Sequence, residues 1–272
     1  PLMTETSVTR ALLESIIHCP LLIEKLPEAS AFPREHLSIP DEFPDLNLAQ
    51  KLGHLYEDAL TILLKNSRTH TLAEKSLQIQ KDIHTTVGEV DFLLRNNDSG
   101  QLIHLELATK FYLGVETSAG ILLPGPDARD NYERKLSRMR EHQLQLGHRY
   151  RDFLPAEYRK ENLEVFHLIF GCIFDHIAAA STISPQFISP NCRRGKWLHL
   201  TEIGEHFPGS TTFQVIPKKL WPVPLALLDQ FQFDEWTPAP HSHHCVMIRI
   251  PGDETSYFIA PDGYPNHGGG IR

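Results

Sequence analysis

Between Val165 and Phe174 the chain reads VFHLIFGCIF, apolar apart from one histidine and one glycine. The run falls far short of the ~20 residues needed to cross a bilayer. A short, continuous apolar run of this kind is expected of a β-strand hidden on both faces. Such a strand needs packed layers above and below it, which points to an α/β architecture.

The segments before it fit that architecture. Residues 1–46 read as a helical lead-in: Thr9 to Ile23 has helical spacing, Pro20 interrupts it, and Pro27, Pro33, Pro40 and Pro44 mark a connection. Leu48, Leu52, Leu55, Tyr56, Ala59, Leu60, Leu63 and Leu64 then recur at helical intervals through Lys65, with Asn47 as the expected N-cap. Ser76 to Lys81 alternates apolar and polar side chains, as a half-buried strand does. Glu89 to Arg95 is strand-like and ends at the turn signal Asn96-Asn97-Asp98-Ser99-Gly100; Gln101 to Leu113 reads as a long strand. A second helix is expected from Pro126-Asp127, capped by Asp127, with Tyr132, Leu136, Met139, Gln143 and Leu146 on one face. Joining the earlier strands to Val165–Phe174, it forms a right-handed crossover. Beyond residue 180, short β-like runs (Thr211 to Ile216, Cys245 to Ile250, Ser256 to Ile259) are separated by prolines. The chain therefore divides into a lead-in over 1–46, an α/β core over 47–180 and a β-rich C-terminal portion over 181–272 packed on that core.

Composition narrows the function. The formal net charge of −8 argues weakly against broad, nonspecific coating of nucleic acid, while leaving room for a local basic groove. The four cysteines, Cys19, Cys172, Cys192 and Cys245, form no Cys-x-x-Cys pair, which speaks for reduced thiols in a cytoplasmic protein. The N-terminus lacks a basic start followed by an apolar stretch, so no secretory signal is expected, and Pro1-Leu2 ahead of Met3 reads as foreign to a native start. No membrane partner is expected.

The chemistry is concentrated in a few charged residues where apolar ones belong. Asp91 lies inside Gly88-Glu89-Val90-Asp91-Phe92-Leu93-Leu94, and Glu106 inside His104-Leu105-Glu106-Leu107-Ala108-Thr109-Lys110. Isolated buried carboxylates are costly unless paired, hydrogen-bonded or bound to a cation. Two on neighbouring strands suggest a divalent metal held by oxygen ligands. Strand alternation sets His104, Glu106, Ala108 and Lys110 on one face, and a lysine beside the carboxylates supplies the positive charge that phosphate-ester hydrolysis needs.

This arrangement resembles the PD-(D/E)XK nuclease superfamily. Gly53-His54-Leu55-Tyr56-Glu57 is similar to its helical Gly-x-x-x-Glu, Gly88-Glu89-Val90-Asp91 to its Gly-x-x-Asp strand, and Glu106 with Lys110 to its Glu-x-Lys. More narrowly, Glu106-Leu107-Ala108-Thr109-Lys110-Phe111-Tyr112-Leu113 and Gly125-Pro126-Asp127-Ala128-Arg129-Asp130 resemble the bacterial family named domain of unknown function 1853. The resemblance implies a restriction-endonuclease-like core: a central mixed sheet flanked by helices, with the β-rich portion as an extension. It implies magnesium or manganese on Asp91 and Glu106, helped by the Leu107 carbonyl, with Lys110 orienting water or stabilising charge and Glu57 tuning the metal. Arg134, Lys135, Arg138 and Gln143 would contact the nucleic acid, DNA ahead of RNA. One departure stands out: Ala108 occupies the usual lysine position, and Lys110 comes two residues later, ~6–7 Å along a strand.

Other readings stay open. A nuclease fold without activity, binding nucleic acid or a protein partner, is the alternative function. Glu106 and Lys110 also suit a cross-strand ion-pair network, and the basic helix face suits a solvated surface. His241, His243, His244 and Cys245 offer a third reading as a metal cluster, although neighbours in an extended segment diverge. Arg193-Arg194-Gly195-Lys196-Trp197 is a candidate phosphate contact, and Trp197, Trp221 and Trp236 are candidates for base stacking or for core packing.

Overall fold

The computed structural model describes residues 3–239 and 243–266. It opens with α1 (Glu5–His18), β1 (Ser30–Ala31) and α2 (Leu52–Lys65). Three long strands follow, β2 (His70–Asp82), β3 (Thr85–Asn96) and β4 (Leu102–Leu113), then a small hairpin of β5 (Val115–Thr117) and β6 (Gly120–Leu122). Helices α3 (Tyr132–Glu141) and α4 (Leu146–Arg149) lead to β7 (Leu163–His176). The C-terminal strands are β8 (Arg193–His199), β9 (Phe213–Val215), β10 (Glu235–Trp236), β11 (Val246–Arg249) and β12 (Ser256–Ala260).

The result is an α/β protein with one large mixed sheet, in the order β10-β9-β11-β12-β8-β7-β4-β3-β2. The pairs β2/β3 and β3/β4 are antiparallel, while β4/β7, β7/β8 and β8/β12 are parallel. The β-rich C-terminal portion therefore continues the core's own sheet through β8, and β1 adds a short parallel pairing to β7.

Strand β7 is covered on both faces, as its composition demands. Leu168, Phe170, Cys172 and Phe174 enter the core shared with α1 and α2, whereas Ile169 and Ile173 join the opposite cluster with Tyr112, Tyr132 and Leu144. Alternation along the strand distributes the two sets. Trp197 is part of the first core and donates its indole N–H to the Gly114 carbonyl at 2.8 Å, and the Trp221 indole donates to the Ile216 carbonyl at 3.0 Å. Trp236 packs edge-on against Phe213. Trp197 and Trp221 are thus buried in the core, while an edge of Trp221 also lines the cleft that holds Asp91 and Glu106. Among the described residues no helix is long and apolar enough to cross a membrane.

Three local expectations change. Helix α2 begins at Leu52 and not at Leu48, because the Asn47 side chain accepts the Ala49 N–H at 3.1 Å and closes a turn ahead of the helix. Helix α3 begins at Tyr132, capped by Asn131, whose side chain accepts the Arg134 N–H at 3.2 Å. Asp127 instead accepts the backbone N–H and guanidinium of Arg129, forming a separate turn. Helix α3 also ends at Glu141, so Gln143 lies in the 3₁₀ turn that follows.

The Arg193-Arg194 pair is committed to structure and not to phosphate. Arg193 donates to the carbonyls of Trp221, Pro222 and Val223 at 3.1, 2.8 and 3.3 Å. Arg194 pairs with the buried Asp175 carboxylate at 3.1 Å. Arg193→Ala leaves those carbonyls short of a charged donor, and the expected loss is ~2 kcal/mol in urea denaturation.

Candidate active site

Strands β3 and β4 pair from Arg95↔Leu102 to Phe92↔Leu105, and there the ladder stops. Beyond that point β3 keeps β2 as its partner and β4 keeps β7. Asp91 and Glu106 stand at the fork, and their carboxylates replace the missing ladder bonds. Asp91 Oδ2 accepts the Leu107 N–H at 2.9 Å, and Glu106 Oε1 lies 3.4 Å from the Asp91 backbone nitrogen. The two acids expected to be neighbours therefore cross-cap each other's strands.

Glycine at position 88 serves this opening. A side chain there would bring its Cβ within 2.8 Å of the Leu146 methyl groups, so the glycine admits α4 against β3. The turn carrying Gln143 precedes α4, and Gln143 Nε2 reaches Glu106 Oε2 at 3.3 Å. On the other side, His104 Nε2 lies 2.6 Å from Glu106 Oε1, with both side chains buried. Burial lowers the His104 pKa to about 4, so the ring is neutral and shares a single proton with Glu106 across this contact. Strand alternation put His104 on the face of Glu106, which was the available signal; its role as the partner that holds Glu106 was not read from it.

Burial dominates the electrostatics of the fork. Burial pushes Asp91 up to about 9, with repulsion from Glu106 adding to it, and burial pushes Glu106 up to about 8. Glu57 is also raised, chiefly by burial, against the opposing influence of His54 at 3.5 Å. No Lys or Arg forms an ion pair with Asp91 or Glu106 among the described residues, so the cross-strand ion-pair reading of Glu106 with Lys110 is not the arrangement found.

A cleft of about 1000 Å³ opens onto the pair. Glu57, Asp91, Glu106, Lys110, Lys135, Arg138 and Gln143 all line it, so seven of the eight residues singled out from sequence meet in one place. The displaced Lys110 is among them, half-buried, its pKa lowered by burial. Arg134 is the exception: it is not part of the lining, and its guanidinium donates to the Arg129 carbonyl. Sequence reasoning missed Lys51, Lys218 and Lys219, which add to the basic residues of a lining that also holds Asp127 and Asp130, the latter 3.6 Å from Lys135. The Lys218-Lys219 doublet beside Trp221 was the only local signal, and its short 3₁₀ turn has no periodicity to read.

His241 lies outside the described residues. His243, His244 and Cys245 do not join a group of three metal-ligating side chains among the described residues. Burial instead holds the Cys245 thiol up at about 12. The other three cysteines are buried and free.

A family model described as Domain of unknown function (DUF1853) matches residues 22–254. No curated protein and no solved structure matches the chain.

Proposed function

The chain belongs to the family Domain of unknown function (DUF1853), and from its own residues we propose that it is a magnesium-dependent nuclease with a PD-(D/E)XK-type site, cutting phosphodiester bonds of nucleic acid. The observation that carries this reading is the fork: a buried Glu106 and a half-buried Asp91, neither paired with a Lys or Arg among the described residues, in a cleft that Lys51, Lys135, Arg138, Lys218 and Lys219 also line. Carboxylates in a cleft that such cations line suit a polyanion that approaches together with a divalent ion.

The donor set fits magnesium. Asp91 and Glu106 offer hard oxygen ligands, and each carboxylate reaches the other's strand, so their oxygens converge at one place. Those two residues would hold the ion, with Glu57 beside them. When bound, magnesium polarises the phosphoryl oxygens and lowers the pKa of its water. The remaining work falls to the protein. His104 and Gln143 grip one oxygen each of Glu106 and fix its orientation. Lys110 presents a half-buried ammonium to charge developing on the phosphoryl group. Lys135, Arg138, Lys218 and Lys219 bind backbone phosphates without reading sequence.

The test is cleavage of mixed DNA and RNA substrates with magnesium or manganese. Lys110→Ala is expected to lower kcat by about 10²-fold with little change in substrate affinity. No cleavage by the wild type on any substrate, or full activity in Lys110→Ala, would overturn the assignment. Retained nucleic-acid binding without cleavage would move the reading to a non-catalytic binding module.

The lining cations make a separate prediction. The double variant Lys218→Glu, Lys219→Glu is expected to raise KM and flatten the dependence of binding on log salt by roughly 1 for each lost phosphate contact. Arg134→Ala, off the cleft, is expected to leave both unchanged. A salt titration of fluorescence anisotropy distinguishes the two, and equal effects would refute the assigned phosphate contacts.

A further inference from the structure

A second cluster of chemistry lies roughly 30 Å along β7 from the level of Glu106. His176 ends β7, His199 ends β8, and the two strands run parallel, so both histidines emerge at the same edge of the sheet. The 3₁₀ turn after β8 folds Glu202 back onto them. Glu202 Oε2 lies 3.0 Å from His176 Nε2 and 3.2 Å from His199 Nδ1, and one ligand atom from each residue falls within 4.8 Å of the others. An ion bound tetrahedrally at ordinary zinc distances holds neighbouring ligand atoms about 3.3 Å apart. The observed spacings need little adjustment to match.

The surroundings of His199 favour this use. Its Nε2 lies 3.0 Å from the Tyr264 carbonyl, which fixes the proton on Nε2 and leaves the Nδ1 lone pair on the side of Glu202. Trp197 packs against both imidazoles, with ring centroids 4.7 and 5.0 Å away, restricting their rotation. All three side chains keep about a quarter of their surface exposed, so a solvent ligand can complete the shell. Two local contacts have to give way. The Glu202 backbone N–H faces His199 across a capping box, and His176 Nδ1 accepts the Ala178 N–H at a long 3.3 Å. With an ion present, the His176 proton moves from Nε2 to Nδ1, and the exposed turn at Ala178 adjusts.

We propose that His176, His199 and Glu202 form a binding site for a divalent transition ion of the zinc class, with Tyr264 holding His199 from behind. The site is independent of the carboxylate fork and of the nuclease reading. Its ion ties the ends of β7 and β8 together. Through Tyr264, whose hydroxyl donates to the Gly125 carbonyl at 2.9 Å, it also braces the segment leading to the cleft residues Pro126 and Asp127.

The test is titration of the untagged, chelator-stripped protein with Zn²⁺, and with Co²⁺ as a visible-spectrum probe. Wild type is expected to take up one ion that gives the intense Co²⁺ bands of a four- or five-coordinate site, distinct from the weak bands of any six-coordinate ion at the carboxylate fork, and Zn²⁺ is expected to raise its Tm. His199→Ala and the near-isosteric Glu202→Gln are expected to weaken binding at least tenfold. Asp91→Asn and a double His243→Ala, His244→Ala variant are expected to bind as wild type does. Circular dichroism of the stripped variants separates lost binding from lost folding, and Glu202→Gln keeps an acceptor for the His199 backbone N–H. Absence of a bound ion in the wild type, undiminished binding in both His199→Ala and Glu202→Gln, or loss of binding in the 243/244 variant would each overturn the proposal.

Discussion

Asp91→Asn is expected to lower magnesium-dependent cleavage by about 10³-fold while making the metal-free protein more stable at neutral and alkaline pH. Both effects follow from the fork. Asp91 and Glu106 lie near enough for each to touch the other's strand, and burial with mutual repulsion raises Asp91 to about 9 while burial raises Glu106 to about 8. An acid whose pKa is higher in the folded state holds a proton that the unfolded chain has already released. Its contribution to stability is therefore complete below the ordinary carboxylate pKa and is lost as pH rises toward 8 or 9. Asparagine keeps an oxygen for the Leu107 N–H and removes the charge. The difference in stability between the variant and wild type is expected to grow steadily between about pH 4 and pH 9, the window between the ordinary carboxylate pKa and the raised values in the folded chain. Magnesium reverses the sign for the wild type, stabilising it more at pH 8 than at pH 6 because ligand protons must leave, and it is expected to have little effect on Asp91→Asn. Urea denaturation across this range, with and without magnesium, measures all of it. A wild-type-to-variant difference independent of pH would mean that the pair does not share a desolvated site.

Much of this site was legible in the sequence because burial and charge conflict there. Asp91 and Glu106 interrupt segments that otherwise ask to be covered, and β7 announces itself through a run that only a doubly covered strand explains. Period-two alternation alone put Glu106 and Lys110 on one face, and both line the cleft. The failures have a common cause. Asn47 and Asp127 each have the chemistry of a helix cap, yet each closes a turn of its own, and local propensity does not decide between the two. Arg193 and Arg194 look like free cations until the chain brings the carbonyls of residues 221–223 and the Asp175 carboxylate to them. Lys218 and Lys219 reach the cleft only because the C-terminal strands extend the same sheet. His176, His199 and Glu202 meet for a similar reason, through the parallel pairing of β7 with β8. Contacts made by tertiary pairing carry no local periodicity, so no inspection of neighbours along the chain reveals them.

The position of Lys110 depends on a residue that sequence motifs do not mention. Gly171 lies opposite Lys110 in the parallel β4/β7 register, with φ near +153°. A Cβ at Gly171 would stand 1.7 Å from the Lys110 carbonyl oxygen and 3.1 Å from a Leu22 methyl. The first contact is with backbone, so no side-chain rotation relieves it, and the φ value itself disfavours an L side chain. Gly171→Ala must push β4 and β7 apart at the level of Lys110 or twist one of them. The expected loss of stability is ~3 kcal/mol or more, and any folded fraction at low temperature is expected to cleave nucleic acid more slowly because Lys110 is displaced. Gly53 provides the contrast. It belongs to the Gly-x-x-x-Glu motif on α2, yet a Cβ there meets nothing within 4 Å. Gly53→Ala is therefore expected to leave stability unchanged or to raise it by up to ~1 kcal/mol through helix propensity. Thermal melts of the two variants beside wild type decide the matter. Equal stability in all three would show that β4 and β7 are not in the register that sets Lys110 in the cleft.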